Sequence, residues 1–477
     1  MSVRLSEFIK AYDVRGLVPE QLDVGVCEAL GSAFAQVVVK PEGAEGVVVG
    51  HDMRDSSPSL VAGFAEGVRR QGVDVTLVGL CSTDALYYAS GVTGLPGAMF
   101  TASHNPARYN GIKLCRAGAR PVGLDSGLAE VRDLAQWLLD RGGAHDLPTA
   151  ARAGSTTVRD ILADYAAYLH ALVDLTGGRE LTVVIDAGNG MAGHTVPAVL
   201  QRDGLPLRVV PLYFELDGTF PHHEANPLDP ANLVDLQRAV LDQGADLGLA
   251  FDGDADRCFV VDEQGELVTA SAVTALVAER EILRELAAGR SPDEVSIVHN
   301  IISSRAVAET VERLGARAVP SRVGHSFVKA RMAEHEAVFG GEHSGHYYFR
   351  EFWYADTGML AAMHVLAALG ADERPLSQMV APYDPYVASG EINSEVDDVP
   401  AATARVRSWG ADQPGVVMED LDGLMLRHTG RPGWWVSVRP SNTEPLLRLN
   451  VEADDTATME RLRDTVLDLV RMGTVGP

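Results

Sequence analysis

The strongest constraint on the fold of this chain is a strand–helix–strand pattern that recurs along its length. In the first copy, short apolar runs at Val47–Val49 and Val73–Val78 flank a segment of helical periodicity at Leu60–Arg70. Two strands that a helix joins lie parallel in one sheet and are connected by a right-handed crossover. The pattern therefore predicts α/β domains that are built on parallel strands.

The same alternation continues in two further units and then changes. A helix at Val158–Leu172 is predicted to open the second unit, and strand-like runs follow at 181–186, 246–251 and 295–298. Beyond a proline-bearing segment at 371–385, predicted to be a linker, short strands lie between two helices, which is typical of an α+β domain with an antiparallel sheet. Because 477 residues are too many for one core, three or four domains are expected, and the three α/β units with the α+β segment after them favour four. Their predicted boundaries are 1–156, 157–263, 264–372 and 373–477.

The composition excludes several classes of protein. A formal net charge of −26 argues against nucleic acid or an anionic membrane as a partner. The cysteines are scattered without C-x-x-C spacing, so neither a zinc site nor a disulfide framework is predicted. The N-terminus lacks the apolar core of a signal peptide, and the most apolar helix, Met359–Leu369, is too short to cross a bilayer. We therefore expect a cytoplasmic protein.

A polar turn at Thr101–Pro106 follows a predicted strand. Ser103 lies at its tip, His104 is the next residue, and Lys113 follows ten residues after the serine. A serine hydroxyl acts as a nucleophile or phosphoryl carrier where cations and hydrogen-bond donors hold it in place. Arg15, near a turn at the N-terminus, is a further candidate contact for a phosphate. Ser, Asn and Pro are also common turn residues, so this segment alone is equally compatible with an ordinary turn.

Three carboxylates, Asp252, Asp254 and Asp256, directly follow the strand predicted at 246–251. Carboxylates this close repel one another unless a cation lies among them or one of them carries a proton. Because carboxylate oxygens are the ligands of hard cations, the cluster predicts a Mg²⁺ site. The spacing also fits an EF-hand loop, but that loop requires Gly where this chain has Arg257, and a helix where it has a strand.

Two further polar loops complete the set. The Gly-rich segment Val338–His346 offers carboxylate, hydroxyl and imidazole groups for binding a polyol. The turn Arg439–Pro445, with Arg448 just after it, has the hydroxyls, backbone N–H groups and arginines of an anion-binding site. A carrier hydroxyl, a hard cation, a polyol loop and an anion site together indicate phosphoryl transfer on a small polyhydroxylated substrate.

Four segments of this chain resemble the four signature loops of the α-D-phosphohexomutase family. They are Thr101–Pro106, Asp252–Arg257, Gly341–His346 and Arg439–Pro445, and they occur in the family's order. The resemblance covers essentially the whole chain. Trp434–Trp435 and the segments Asp252–Phe259 and Asp217–Leu228 are more similar to the phosphomannomutase/phosphoglucomutase branch than to phosphoglucosamine mutases.

This resemblance implies a fold and a reaction. The fold would be a heart-shaped α/β arrangement of three related mixed αβα domains and a C-terminal α+β domain with an antiparallel sheet. The reaction would be reversible phosphoryl transfer between O1 and O6 of mannose phosphate, and also of glucose phosphate, through a phosphoserine and a hexose 1,6-bisphosphate. The resemblance further implies Mg²⁺ as cofactor, glucose 1,6-bisphosphate or mannose 1,6-bisphosphate as activator, and a monomer or homodimer.

The resemblance also implies roles for individual residues. The catalytic residues would be Ser103, Lys113, His346, Arg15 and His104. The metal ligands would be Ser103, through its phosphate, and Asp252, Asp254 and Asp256. The substrate-binding residues would be Tyr12, Arg257, Arg322, His325, Glu342, Ser344, Arg439, Ser441, Asn442, Thr443 and Arg448.

Three alternatives stay open. One is a phosphoglucosamine mutase, and another is a metal-dependent sugar phosphatase whose nucleophile is Asp252 or Asp254. The third is a sugar-phosphate-binding protein without activity, which the presence of Ser103, Lys113 and all three aspartates argues against. The segment Cys81–Asp84, where many relatives have a Thr-Pro pair, leaves the preference for mannose over glucose open.

Overall fold

Four β-sheets organise the residues that this computed structural model describes, which are 3–10, 12–143, 150–440 and 446–472. Three of the sheets mix parallel and antiparallel strands, and the described strands of the fourth are all antiparallel. The predicted fold class, three mixed α/β domains followed by an α+β domain, is confirmed. Among the described helices, none combines the length and the apolar character that crossing a bilayer requires.

The first domain is built on a seven-stranded sheet. Its strands are β1 (Val14–Leu17), β2 (Gly46–His51), β3 (Asp74–Leu80), β4 (Gly97–Phe100), β5 (Tyr109–Arg116), β6 (Arg120–Pro121) and β7 (Thr156–Val158), and its helices are α1 (Val24–Phe34), α2 (Ser57–Arg70), α3 (Thr83–Thr93) and α4 (Leu128–Leu139). The order is β1-β5-β4-β2-β3-β7, with β6 on β5. The strand–helix–strand unit β2-α2-β3 is parallel, as predicted, and Pro58 in the first turn of α2 occupies a position where its missing N–H leaves no bond unmade.

The second domain contains five strands. They are β8 (Leu181–Asp186), β9 (Leu207–Leu212), β10 (Leu247–Phe251), β11 (Cys258–Asp262) and β12 (Leu267–Val268), with helices α5 (Leu162–Leu172), α6 (Ala192–Leu200) and α7 (Val234–Gln243). The order is β12-β11-β10-β8-β9. The prediction of a helix from Val158 was wrong at its start, because Thr156–Val158 pairs with β3 as β7 and the helix begins at Leu162. Three consecutive β-branched residues favour the extended conformation, and β7 spans the predicted boundary at 156.

The third domain also contains five strands. They are β13 (Ser296–Asn300), β14 (Arg317–Ser321), β15 (Phe339–Gly341), β16 (Tyr347–Phe349) and β17 (Ala355–Asp356), with helices α8 (Ala270–Ala287), α9 (Arg305–Arg313), α10 (His325–Glu334), α11 (Gly358–Gly370) and α12 (Leu376–Val380). The order is β14-β13-β15-β16-β17. Helix α12 lies inside the segment 371–385 that was predicted to be a linker. Its residues Leu376, Met379 and Val380 are buried, and burying this apolar face is what makes the segment fold against the domain.

The fourth domain has a six-stranded antiparallel sheet covered by two helices. The strands are β18 (Val387–Ala388), β19 (Ile392–Glu395), β20 (Val416–Glu419), β21 (Leu424–His428), β22 (Trp434–Pro440) and β23 (Leu446–Ala453), and the helices are α13 (Val399–Ala411) and α14 (Thr456–Arg471). The order is β18-β23-β22-β21-β20, with β19 also on β23. The prediction of an antiparallel sheet in this domain is confirmed.

Each predicted functional loop connects two neighbouring antiparallel strands. The serine loop (Thr101–Pro106) lies between β4 and β5, and the carboxylate loop (Asp252–Arg257) lies between β10 and β11. The polyol loop (Glu342–His346) lies between β15 and β16. The fourth loop, at 441–445 between β22 and β23, falls outside the described residues. The same local arrangement therefore recurs in each of the first three domains.

One hydrophobic core joins the first three domains. Leu86 of α3, Leu249 of β10 and Leu360 of α11 belong to a single buried cluster. The fourth domain has a separate core, which includes Val436 of β22 and Leu462 of α14. Because a large apolar interface holds domains in a fixed arrangement, the loops of the first three domains are held in place relative to one another.

Asp84 of α3 is a polar link within the shared core. Its fully buried carboxylate accepts hydrogen bonds from Tyr165 Oη at 2.6 Å and from Thr357 Oγ1 at 2.7 Å. Tyr165 belongs to α5 of the second domain, and Thr357 caps α11 of the third. Burial raises the pKa of Asp84 to about 6. One carboxyl group therefore ties three domains together.

We expect Asp84→Ala to lower the midpoint of thermal unfolding by about 3 °C or more. The substitution leaves the buried hydroxyl groups of Ser82, Tyr165 and Thr357 without this acceptor, which costs roughly 3 kcal/mol or more. Asp164→Ala is a matched control, because Asp164 is exposed and pairs with exposed Arg159 at 3.2 Å, and it should shift the midpoint by less than about 1 °C. Scanning calorimetry checks both values, and equal shifts would contradict the role given to Asp84.

Candidate active site

The serine loop places Ser103 against the carboxylate loop of the second domain. Ser103 is 3% exposed and has a φ of 50°, in the left-handed region. Its Oγ donates a hydrogen bond to Asp252 Oδ2 at 2.8 Å and accepts one from Arg257 Nη2 at 3.2 Å. Left-handed backbone is strained for a residue other than glycine, and such strain concentrates at functional sites. The serine hydroxyl is thus fixed at the junction of two domains.

Gly253 allows these two loops to approach each other. A Cβ atom at this position would lie 2.5 Å from the carbonyl oxygen of Ser103. That atom is backbone and cannot rotate away, so any larger residue would push the loops apart. The glycine between Asp252 and Asp254 is therefore required by the contact between the two domains.

A buried arginine that the sequence analysis did not single out holds the serine loop from behind. Arg54 is 2% exposed, and its guanidinium donates hydrogen bonds to four backbone carbonyl oxygens between residues 103 and 109, at 2.7–3.0 Å. Its Nε donates to Asp52 Oδ2 at 3.1 Å, and Phe220 of the second domain packs on the guanidinium at 5.2 Å. A planar group with five donors can make this set of bonds, whereas a lysine cannot.

The three aspartates of the carboxylate loop converge in a buried site. Asp252 and Asp254 are fully buried, Asp256 is 1% exposed, and one oxygen of each lies within 4.8 Å of the others. Lys113 Nζ, from β5 of the first domain, lies 2.7 Å from Asp254 Oδ2 and 2.5 Å from Asp256 Oδ2. Thr83 Oγ1 donates to Asp254 Oδ2 at 2.6 Å. The positive charge of Lys113, from the first domain, therefore compensates part of the negative charge of the aspartates in the second domain.

Burial and the neighbouring charges give these groups different acidities. Burial raises the pKa of Asp252 to about 7. Burial would also raise the pKa of Asp254, but Lys113 outweighs it and holds that pKa well below its usual value. Although burial alone would lower the pKa of Lys113, Asp254 and Asp256 hold it well above its usual value. Lys113 and Asp254 are therefore ionised at neutral pH.

The carboxylate loop fits a hard cation. Asp254 Oδ1 and Asp256 Oδ1 are buried and make no hydrogen bond within the described part of the chain. A buried carboxylate oxygen without a donor is costly, and a divalent cation among the three side chains would satisfy both atoms. A donor set made only of carboxylate oxygens suits Mg²⁺ better than softer metals. The residues present are thus compatible with the predicted Mg²⁺ site.

The polyol loop brings His346 to the same place from the third domain. Its Nε2 lies 3.8 Å from Asp256 Oδ1, and its Nδ1 lies 2.9 Å from Ser344 Oγ. Burial lowers the pKa of His346, so the imidazole is neutral at pH 7 and is able to accept a proton. Ser344, predicted to bind substrate, therefore also orients this imidazole.

A second buried ion pair lies beside His346. Lys329 Nζ is 2.6 Å from Asp356 Oδ1, and both side chains are less than 5% exposed. Asp356 Oδ2 lies 4.0 Å from His346 Nε2. The ring of Tyr12 packs edge-on against His325 at 4.1 Å, and burial, with Lys329, lowers the pKa of His325 well below its usual value. Asp356 was not found from the sequence, because it stands alone in a segment without any polar motif.

Glu342, predicted to bind sugar hydroxyls, is buried and already hydrogen-bonded at both oxygens. The backbone N–H of Gly324 donates to Oε1 at 2.9 Å, and Tyr348 Oη donates to Oε2 at 2.6 Å. A carboxylate oxygen can accept a second hydrogen bond, so both oxygens keep the capacity to bind a hydroxyl. The contact of Glu342 with substrate stays a prediction.

The structure describes the two flanks of the predicted phosphate-binding turn. The turn residues Ser441, Asn442 and Thr443 lie outside the described residues. Arg439 of β22 and Arg448 of β23 are direct partners in the antiparallel register. Arg322 is half-exposed, and its Nε lies 3.5 Å from Asp422 Oδ1 of the fourth domain. Arg322 thus connects the third and fourth domains at this end of the molecule.

A cleft of about 660 Å³ brings nine of the predicted residues together. They are Tyr12, Arg15, Ser103, His104, Lys113, Asp256, Arg257, His325 and His346. Arg15 Nη1 donates to Asn105 Oδ1 in the serine loop at 2.6 Å. His104 Nδ1 lies 3.2 Å from Ser103 Oγ, and burial, with the charge of Arg257, lowers the pKa of His104 to about 2. The predicted residues outside the described lining of this cleft include Arg322, Glu342, Ser344, Arg439 and Arg448.

Four models of one protein family match this chain, one for each of its four domains. Models of the phosphoglucomutase/phosphomannomutase family match residues 7–134, 163–265 and 271–386, as alpha/beta/alpha domains I, II and III, and residues 391–469 as the C-terminal domain. The chain is 38% identical to a protein of Xanthomonas campestris named for phosphohexose mutases, over 97% of this chain and 98% of the relative. It is 36% identical to a phosphomannomutase of Salmonella typhimurium, again over 97% of this chain and 98% of the relative.

A solved structure agrees with these matches. The crystal structure of a phosphoglucomutase/phosphomannomutase family protein from Burkholderia thailandensis superimposes with a TM-score of 0.84 at 30% identity, over 99% of each chain. The chain described here belongs to the phosphoglucomutase/phosphomannomutase family and is an isomerase of that family. The resemblance inferred from the four loops is confirmed.

We expect Arg54→Lys to lower kcat/KM for hexose phosphate isomerisation at least about tenfold. Lysine keeps the charge but cannot reach four carbonyl oxygens, so the serine loop loses its fixed position, and misplacing a reacting group by about 1 Å costs up to a hundredfold in rate. Arg108→Lys is the matched control, since Arg108 is exposed in the next turn and packs on Tyr109. Steady-state rates with circular dichroism as a folding check measure the effect. Equal rates in both variants would show that the loop needs no support from Arg54.

Proposed function

We propose that this enzyme interconverts the 1- and 6-phosphates of mannose, and those of glucose, through a phosphoserine at Ser103. The observation that supports this best is the position of Ser103. Its side chain lines the cleft, and its Oγ is hydrogen-bonded to both Asp252 and Arg257. Relatives named for phosphomannomutase and phosphohexose mutase support the substrate class. Initial rates on mannose 1-phosphate, glucose 1-phosphate and glucosamine 1-phosphate test it, and fast turnover of glucosamine 1-phosphate alone would assign the chain to the alternative, a phosphoglucosamine mutase.

The proposed reaction consists of two phosphoryl transfers. In the first, the P–O bond to Ser103 Oγ breaks, a P–O bond to the free hydroxyl oxygen of the hexose monophosphate forms, and the hydroxyl proton passes to a base. The product is a hexose 1,6-bisphosphate. In the second, the other phosphate returns to Ser103 Oγ by the reverse steps. Because O1 and O6 react in turn, the sugar has to bind in two orientations.

The cationic and basic groups of the cleft have complementary roles in this proposal. Neutral His346 is the candidate base for the proton of the sugar hydroxyl. Lys113, which is cationic, is the candidate donor of the proton that Ser103 Oγ takes up. Arg257, which donates directly to Ser103 Oγ, and Arg15 stabilise negative charge on the transferring group. The imidazole of His104 would orient the serine.

Asp252, Asp254 and Asp256 would hold Mg²⁺, and an oxygen of the phosphate on Ser103 would complete its ligands. A bound divalent cation neutralises charge on a transferring phosphoryl group. A hexose 1,6-bisphosphate, of glucose or mannose, would act as activator by phosphorylating Ser103 in enzyme that has lost its phosphate.

The remaining predicted residues would bind the sugar and the phosphate that does not react. Tyr12, His325, Glu342 and Ser344 would contact hydroxyl groups, and Arg322 lies at the junction with the fourth domain. The predicted phosphate ligands are Arg439, Ser441, Asn442, Thr443 and Arg448. A site of this kind accepts either end of the substrate, because a phosphate group presents the same oxygens whether it is on O1 or on O6.

We expect Ser103→Ala to lower mutase activity by at least about a thousandfold while the fold is kept. The variant has no oxygen to carry the phosphoryl group, and it removes only one hydroxyl group from a side chain that lies in a polar loop. Ser59→Ala is the control, because Ser59 is exposed on α2 of the same domain and should keep full activity. Rates, intact-mass measurement of the phosphoryl group and a thermal melt check the three statements. Near-native turnover by Ser103→Ala would falsify the phosphoserine.

We expect EDTA to abolish isomerisation and added Mg²⁺ to restore it. Asp254→Asn should weaken Mg²⁺ binding by at least about tenfold, because it removes one of three charged ligands. Asp246→Asn, in the same domain but paired with Arg179 outside the cleft, should bind Mg²⁺ like the unsubstituted enzyme. Titration calorimetry with Mg²⁺ measures this. Steady release of free phosphate that survives Ser103→Ala but is lost in Asp254→Asn would instead identify a phosphatase with a carboxylate nucleophile.

A further inference from the structure

Two arginines of the fourth domain face each other and share one carboxylate. Arg439 and Arg448 are direct partners across β22 and β23. Glu391, just before β19, places Oε2 3.1 Å from Arg439 Nη2 and Oε1 3.2 Å from Arg448 Nη1. Each carboxylate oxygen therefore serves one guanidinium, as two oxygens of a phosphate group would.

This arrangement is built around an anion. Like charges directly opposite each other on neighbouring strands are destabilising, so the arginine pair requires a negative group between its members. Glu391 pairs with both arginines, and Asp422 also pairs with Arg439, at 3.7 Å from its Nη1. Because Asp422 is shared with Arg322 at 3.5 Å, three guanidinium groups face these two carboxylates within the described part of the chain.

The arginines also keep unused donors. Arg439 is 8% exposed, and within the described residues its Nε and the Nε of Arg448 are buried without a hydrogen-bond partner. A dianion with three terminal oxygens would satisfy these donors more completely than one carboxylate does. The site therefore binds Glu391 with fewer bonds than it is able to make.

We propose that Glu391 is an internal competitor for the phosphate site, which occupies Arg439 and Arg448 whenever no substrate phosphate is bound there. Its side chain is 28% exposed, so it has a route into solvent when a phosphate displaces it. It follows Gly390, which has a φ of 67°, and directly precedes the first residue of β19. Breaking its ion pair with Arg448 costs little, because these two side chains are 28% and 33% exposed, and the arriving phosphate replaces its bond to the more buried Arg439.

The competition has a use in the reaction, and this step rests on the proposed function. The bisphosphate has to reverse its orientation in the cleft between the two transfers. The arginines must therefore release one of its phosphate groups and then bind the other. Leaving two arginines opposite each other without an anion would oppose that release. Because Glu391 takes the place of the departing phosphate, the barrier to reorientation is lowered and tight binding does not stop turnover.

The test compares Glu391→Gln with the unsubstituted full-length enzyme. Glutamine keeps the size of the side chain and removes its charge, so mannose 1-phosphate and inorganic phosphate are expected to bind about three- to tenfold more tightly to the unphosphorylated protein. In steady-state assays KM for mannose 1-phosphate falls and kcat falls with it. Glu395→Gln is the matched control, since Glu395 lies on the same strand with an exposed side chain, and it should change neither quantity.

Binding and turnover separate the two ideas under test. Unchanged or weaker binding of both ligands to Glu391→Gln overturns the internal competitor and means that Glu391 positions the arginines. Tighter binding with an unchanged or higher kcat overturns its part in reorientation. Failure of the unsubstituted enzyme to isomerise any hexose phosphate would count against the proposed function, while the binding comparison would still decide the role of Glu391.

Discussion

Repulsion among three buried carboxylates is the constraint on which the rest of this structure depends. At an effective dielectric constant of about 20, two unit charges 4 Å apart interact by roughly 4 kcal/mol, so Asp252, Asp254 and Asp256 cannot lie together without compensation. Arg257 supplies part of it from the same loop, and Lys113 supplies part from the first domain. The same contacts fix how the two domains join, and they bring Ser103 to the carboxylates. The ion pairs that compensate the three carboxylates thus also hold the first two domains together and position the candidate nucleophile, Ser103.

Much of the fold was predictable because its signals are local. Each of these signals involves residues that are close together in the sequence: apolar runs of strand length, helical periodicity and turn residues. For this reason β2-α2-β3 and the strand before Asp252 were predicted from the sequence. The residues around Ser103 and the aspartates were predicted for a related reason. Reactive groups at the ends of strands form short polar motifs that can be recognised in the sequence. The resemblance of four such motifs to one family then predicted the other residues of the site.

The interactions that failed to appear in the sequence analysis join residues far apart in the chain. Arg54 bonds to carbonyl oxygens 49 to 55 positions away, and Asp356 pairs with Lys329, which lies 27 positions before it. Backbone acceptors have no sequence signature, so nothing marked Arg54 as more than a polar turn residue. The helix α12 was missed for another reason, since its single apolar turn is too short to show a period. Ser441, Asn442 and Thr443 stay predictions, because they lie outside the described residues.

The pairing of Lys113 with Asp254 also affects how the chain is made. The two residues are 141 positions apart, so at about 5–20 residues per second Asp254 leaves the ribosome roughly 7 to 28 seconds after Lys113. During that interval Lys113 lacks its carboxylates, and the apolar residues that the first domain contributes to the shared core, such as Leu86, are not yet covered by the other domains. Apolar surface that is exposed in this way makes a growing chain prone to aggregation, and it is the kind of surface that chaperones protect.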